Sequence, residues 1–162
     1  MPQKKSTTAD SLMSRAIALS LQNIRSNRGG PFAALVVKGG QIVAEGTNRV
    51  TSMNDPTAHA EIIAIREACR KLKQFDLTGC EIYATCEPCP MCLGAVYWAR
   101  LRKIYFANTA ADAAKIGFDD SLIYREIRRP AAARRIPMIS LLRGDALAVF
   151  RAWQNKKGKV LY

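Results

Sequence analysis

Residues 81–101 read EIYATCEPCPMCLGAVYWARL, and the fold is decided here. Glu81 to Thr85 is short and rich in β-branched and aromatic side chains, which predicts a strand. Pro88 and Pro90 follow it. Met91 to Leu101 then runs apolar almost all round, with Leu93, Ala95, Val96, Tyr97, Trp98 and Ala99, which predicts a helix buried on several sides. Cys86, Cys89 and Cys92 stand at the junction between strand and helix.

Outward from this junction, strands and helices alternate. Leu12, Met13, Ala16, Ile17, Leu21 and Ile24 recur at three- and four-residue steps and predict an amphipathic helix over 9–26. Arg28-Gly29-Gly30-Pro31 breaks it. Phe32 to Val37 and Ile42 to Glu45 read as a hairpin around Lys38-Gly39-Gly40-Gln41. Asn48 to Thr57 is polar and reads as a loop, and 58–73 as a helix with Ile62, Ile65, Cys69 and Leu72 on one stripe. Lys103 to Ala107 and Met138 to Leu142 predict two further strands, 108–136 a couple of short helices, and Asp145 to Lys157 a closing helix. The expected fold class is α/β: one three-layer α/β/α domain over 1–162, with a mixed and mostly five-stranded sheet. Residues 1–8 are expected to be disordered.

The chain has 162 residues, 49% hydrophobic and 23% charged, which fits one globular domain and excludes a disordered chain. No apolar run approaches the ~18 residues of a membrane span. Five cysteines without a secretory signal predict a soluble, cytoplasmic protein with reduced thiols. The net charge is +12, and it is uneven. Residues 1–97 carry +3 (eleven basic, eight acidic), and 98–162 carry +9 (fourteen basic, five acidic). Arg125, Arg128, Arg129, Arg134 and Arg135 crowd around Pro130 with only Tyr124 nearby. This fits a solvated, salt-sensitive face better than a base-stacking surface.

The only histidine lies in His59-Ala60-Glu61, at the expected start of a helix. Cys89 and Cys92 are three apart, so in a first helical turn their sulfurs share a face. One imidazole and two thiolates suit tetrahedral zinc, with a fourth position for water or hydroxide. Glu61, two residues from His59, is placed to move a proton at that water rather than to bind metal. His-x-Glu followed by Pro-Cys-x-x-Cys is the signature of zinc nucleobase deaminases. Taken alone, the histidine reads as structural and the Cys-x-x-Cys as a redox pair or structural zinc; their combination points to hydrolysis. Cys86 would complete a closed Cys₃His site or part of an iron–sulfur run, but the fourth cysteine of such a run is missing, and Cys86 reads as a bystander. Cys69 and Cys80 read as packing residues.

Asn54-Asp55-Pro56-Thr57-Ala58-His59-Ala60-Glu61, Cys86 through Arg100, Gly117-Phe118-Asp119-Asp120, Ile123-Tyr124 and the terminal Tyr162 together resemble the short bacterial guanine deaminases of the cytidine/deoxycytidylate deaminase superfamily. The resemblance implies hydrolysis of guanine to xanthine and ammonia in purine catabolism. It also implies one Zn²⁺ per chain on His59, Cys89 and Cys92, and Glu61 as proton shuttle. It further implies Phe32 stacked on the purine, Asn48 on its edge, Trp98 as a wall, Asp120 reading an amine or ring N–H, and Tyr162 as a cap, with Ala60 and Asp119 also in the pocket. The partners it implies are a small purine base and a second copy, in a homodimer exchanging C-terminal segments from about 130 to 162. Plainer alternatives exist for Phe32 and Trp98 as core, Asn48 as a turn residue and Asp119 or Asp120 as a helix cap. Tyr162 is the exception, since a terminal aromatic has little reason to be ordered unless it docks. Two rival functions stand beside this one. A tRNA adenosine deaminase has the same zinc motif and would use the +12 charge on nucleic acid; a structural-zinc binding module would give Glu61 no task.

Overall fold

A computed structural model of the chain describes residues 8–162, in two compact units that meet in sequence at Asp120 and Ser121. In the first unit, α1 (Thr8–Arg25) leads into a hairpin of β1 (Ala33–Lys38) and β2 (Gln41–Thr47). The one-turn helix α2 (Val50–Met53), α3 (Ala60–Leu72), β3 (Cys80–Cys86), α4 (Pro90–Trp98), β4 (Lys103–Asn108) and α5 (Ala110–Lys115) follow. Thr8 therefore belongs to a helix; the expected disorder of the residues before it lies outside the described residues. The expected loop at 48–57 contains a helical turn, closed by Asn54 in the left-handed conformation (φ 49°).

The sheet is mixed, in the order β2-β1-β3-β4, with β1 antiparallel to both neighbours and β3 parallel to β4. β2, β3 and β4 thus run the same way, joined by crossovers through α3 and α4. Their C-terminal ends, and the N-terminal end of β1, fall on one edge of the sheet. That edge collects Phe32, Asn48, the Cys86–Cys92 loop and Asn108.

Both faces of the sheet are covered because β1 is apolar at odd and even positions alike. Leu35, Val37 and Tyr83 pack under Leu12, Ala16 and Leu19 of α1. Ala34, Val36, Ile82 and Ala84 pack against Ala60, Ala64, Ile65 and Ala68 of α3 and Val96 of α4. The expected three layers are present here. Gly46 of β2 allows the closest approach: a Cβ there would lie 2.2 Å from the carbonyl oxygen of Ala60 and 2.5 Å from the nitrogen of Ala64.

Two patterns differ from expectation. The buried stripe of α1 is Leu12, Ala16, Leu19, Ser20 and Asn23, while Ile17, Leu21 and Ile24 are exposed. The helix carries two overlapping apolar stripes, and the one with small Ala16 at its centre sits closer to the sheet. On α4, Cys92, Val96 and Ala99 are buried, whereas Tyr97 and Trp98 are 75% and 69% exposed.

The second unit holds α6 (Ser121–Arg128), a 3₁₀ turn at Ala131–Ala133 and α7 (Arg143–Asn155). The short helices expected before residue 136 are α5 and α6. Glu126 ties the arginine-rich stretch together: it accepts from Arg129 at 2.9 Å and from the backbone N–H of Arg135 at 2.6 Å, and Arg134 donates to its carbonyl at 3.1 Å. The expected fifth strand, Met138 to Leu142, makes no ladder; a strand needs a neighbour's backbone groups, and this unit has no other strand among the described residues. Ile136, Ile139, Leu141 and Leu142 are all exposed, and neither α6 nor α7 buries a residue.

Candidate active site

Two helices start at the site, and both start on a candidate metal ligand. His59 is the N-cap of α3 and Cys89 the N-cap of α4, each with extended backbone; Pro90 opens α4 and Cys92 follows within its first turn. Proline at the first helical position fits because its missing N–H would have no intrahelical partner. Both helix dipoles place partial positive charge here, favouring thiolate at Cys89 and Cys92.

His59 Nδ1 lies 3.6 Å from Cys89 Sγ and 3.5 Å from Cys92 Sγ. Tetrahedral zinc with ordinary Zn–N and Zn–S bonds spaces nitrogen and sulfur by about 3.6 Å. The three ligand atoms all lie within 4.8 Å of one another and form the one such group of three among the described residues. The donor set, its spacing and its partial burial fit zinc.

The electrostatics fit the same role. Cys89 is held well below the usual thiol range, at about 4, by hydrogen bonds from the Cys92 thiol and from His59. Cys92 is pushed upward, first by that bond to Cys89 and then by burial. His59 is raised by the thiolate beside it. One anion is thus ready, and a cation would displace the proton that remains on Cys92.

Glu61 follows His59 on the first turn of α3, where it is 8% exposed and lies outside the ligand group. Burial raises its pKa, with a smaller upward push from Cys89. A buried carboxyl two residues from a candidate ligand is suited to holding and returning a proton. Cys86 stays apart: its thiol donates to the carbonyl of Thr109 at 3.7 Å, and burial raises its pKa to about 11. Cys80 is fully buried, as a packing residue should be.

Phe32 and Asn48 stand at the same sheet edge. The Phe32 ring meets the edge of Phe118 at 4.9 Å and 87°, so these two rings form one corner. Asn48 is 6% exposed, and its Oδ1 accepts from the backbone N–H groups of Gly30 at 3.1 Å and Val50 at 3.3 Å. Those two donors identify the oxygen of the amide and leave Nδ2 as its donor end. Asp120 is half-buried; burial raises its pKa, and the nearby Cys89 thiolate adds to the rise. Asp119 beside it is exposed. Ala60 opens α3 and is buried, so its N–H is one of the helix-start donors without an intrahelical partner.

Trp98 stands at the far end of α4 from Cys89, about 13 Å along the axis, away from this cluster. Tyr162 belongs to the second unit and is 75% exposed. Three residues that sequence reasoning missed shape the site. Phe118 was visible only as part of Gly117-Phe118-Asp119-Asp120. Glu87 accepts from the N–H of Ala110 at 3.0 Å and ties the cysteine loop to α5, a bond that no local spacing announces. Asn23 of α1 donates to the carbonyls of both Gly30 and Asn48, at 3.0 Å each; the signal was its place four residues after Leu19 on the buried stripe.

Residues 6–108 match the cytidine and deoxycytidylate deaminase zinc-binding region. The chain is 48% identical over 153 residues to guanine deaminase of Bacillus subtilis, covering 94% of this chain and 98% of that protein. The solved structure of that enzyme superposes with a TM-score of 0.92. A structure of guanine deaminase from Nitrosomonas europaea is 35% identical with a TM-score of 0.67, covering 94% of this chain and 87% of that one. The tRNA-specific adenosine deaminase of Aquifex aeolicus is also 48% identical, but over 77 residues, 48% of this chain and 51% of that protein.

Proposed function

Because the chain belongs to the zinc-binding family of cytidine and deoxycytidylate deaminases, we propose that it hydrolyses guanine to xanthine and ammonia. The observation that carries this reading is the extent of the likeness to the Bacillus subtilis guanine deaminase, which spans nearly the whole of both chains. The likeness to the tRNA deaminase covers about half of each.

His59, Cys89 and Cys92 would hold one zinc per chain, with a fourth position for water. The metal would supply Lewis-acid chemistry there, making hydroxide available near neutral pH. Glu61 takes the proton given up by that water and passes it to the ring nitrogen next to the carbon bearing the exocyclic amine. The same carboxyl then takes the proton of the new ring hydroxyl and delivers it to the departing amine. Water's oxygen ends on the ring as the new carbonyl, the C–N bond breaks, and ammonia leaves. Phe32 stacks on the purine with Phe118 bracing it, Asn48 donates from Nδ2 to the purine's edge, and Asp120, with Asp119 beside it, accepts from an amine or ring N–H. The backbone of Ala60 lines the pocket floor.

The working form is a cytoplasmic homodimer acting in purine breakdown, with the C-terminal segments exchanged. The apolar Ile139, Leu141 and Leu142 then find cover on the second copy, and residues 138–142 supply a fifth strand to its sheet. In this arrangement Tyr162 caps the partner's pocket, and Trp98 reaches a pocket wall only through the dimer.

The mechanism is tested by Glu61→Ala. Turnover should fall by about 10²-fold or more while one zinc per chain is retained. Activity surviving at full zinc content would contradict the assignment and favour a structural-zinc module.

A further inference from the structure

We infer that Asn23 is a positioning residue for purine recognition: from the back of α1, its side-chain amide locks the strap that orients the amide of Asn48. The inference rests on Asn48 being a purine contact, as proposed above, and assigns a task to a residue outside the pocket.

The lock is a closed set of bonds. Asn23 is 3% exposed, and its Nδ2 donates both its protons, one to Gly30 O and one to Asn48 O, at 3.0 Å each. Gly30 N donates back to Asn48 Oδ1 at 3.1 Å, and Val50 N to the same oxygen at 3.3 Å. Asn48 N donates to Phe32 O at 3.0 Å, and Phe32 N to Gly30 O at 2.8 Å. The bonding groups of Asn48 are thus held, except Nδ2, which makes no hydrogen bond within the protein among the described residues. The strap passes too close for any side chain: a Cβ on Gly29 would lie 2.2 Å from Asn48 O and 2.7 Å from Asn48 Oδ1. Asn23 thereby joins the strap of residues 29–32 before β1 to Asn48 just after β2, with Phe32 on one side and Asn48 on the other.

Purely structural bracing would predict collapse when the amide is removed. The geometry points elsewhere. Asn23 also lines a solvent-open cleft of about 270 Å³, together with Gln22, Ser26, Thr47 and Arg49 among others. Water from that cleft can reach Gly30 O and Asn48 O once the amide is gone, so the two carbonyls stay solvated. The fold survives, and the orientation of Asn48 is what loosens.

The test is a double-mutant cycle in zinc-loaded protein, with kcat and KM for guanine and zinc per chain as readouts. Asn23→Ala should raise KM about tenfold, leave kcat within about threefold, and keep one zinc per chain. Asn48→Ala should raise KM at least as far, and the double variant should be no worse than Asn48→Ala alone. Asn23→Ser, which keeps one donor at nearly the size of alanine, should fall between wild type and Asn23→Ala; it also carries the test if Asn23→Ala fails to fold. KM effects that multiply in the double variant, or a wild-type KM in both Asn23 variants, would overturn the inference and leave the reading of Asn48 standing. A wild-type KM in Asn48→Ala would overturn both.

Discussion

Cys89 and Cys92 sit one helical turn apart and differ in acidity: hydrogen bonds from Cys92 and His59 bring Cys89 down to about 4, while its bond to Cys89 and burial push Cys92 upward, so that it keeps its proton. Zinc uptake must therefore displace a proton from Cys92 and, where it is charged, from His59, whose pKa lies above its ordinary value. Both groups are raised, so protons compete with the metal more strongly as pH falls. Zinc affinity should climb from about pH 6 to about pH 8, with proton release on binding. Competition with a chelator across that range checks this; an affinity indifferent to pH would contradict it. Cys86→Ser should leave zinc content and turnover intact, since its thiol is spent on Thr109 rather than on the ligand group. Loss of bound zinc in that variant would place Cys86 among the ligands. His59, Cys89 and Cys92 were legible because zinc restricts both residue type and spacing. Asn23 was not, because its partners are backbone carbonyls, which leave no mark in side-chain chemistry.

Elements bring these residues together through close approaches as much as through pattern. Gly46 lets α3 lie so near β2 that His59, its N-cap, reaches the edge where the cysteine loop ends. Gly46→Ala should cost about 1–3 kcal/mol of stability by overpacking, and weaken zinc binding by moving the start of α3. Thermal unfolding of metal-free protein, alongside zinc titration, separates the two effects; an unchanged zinc affinity would detach the metal site from this packing. At the other end of the site, Thr109 and Asp112 form a reciprocal cap on α5, and Asp112 is pushed down to about 2 by its bonds to Thr109. A lowered carboxylate stabilises the fold above its unfolded pKa, so the cap should hold at neutral pH and weaken as pH falls from about 4 toward about 2. Apart from the one-turn helix α2, the types and order of elements in the first unit were legible from hydrophobic period and turn residues. The phase of α1 was not, because apolar positions offered two stripes and the sheet took the one with the smaller side chains. Residues 138–142 carry a strand's composition, but a strand also needs a neighbour, and composition cannot supply one.

For the whole molecule, the +12 charge and the exposed apolar residues of the second unit pull toward different partners. In the proposed dimer the apolar residues are covered by a second copy. The protein should sediment as a dimer, and mixing Glu61→Ala chains with Tyr162→Ala chains through unfolding and refolding should recover a fraction of the activity. That recovery follows because one pocket of each mixed dimer would then combine an intact Glu61 with the other chain's Tyr162. No recovery would mean that each chain completes its own pocket. The arginines around Pro130 are partly occupied by Glu126, so any binding of RNA should be nonspecific and vanish with added salt. The most direct test of the central claim is ammonia release by zinc-loaded protein given guanine in one reaction and a tRNA anticodon stem-loop in another. Guanine should be consumed with equimolar xanthine and ammonia while the stem-loop stays unchanged. An inert guanine, with the stem-loop's adenosine converted to inosine, would contradict the account.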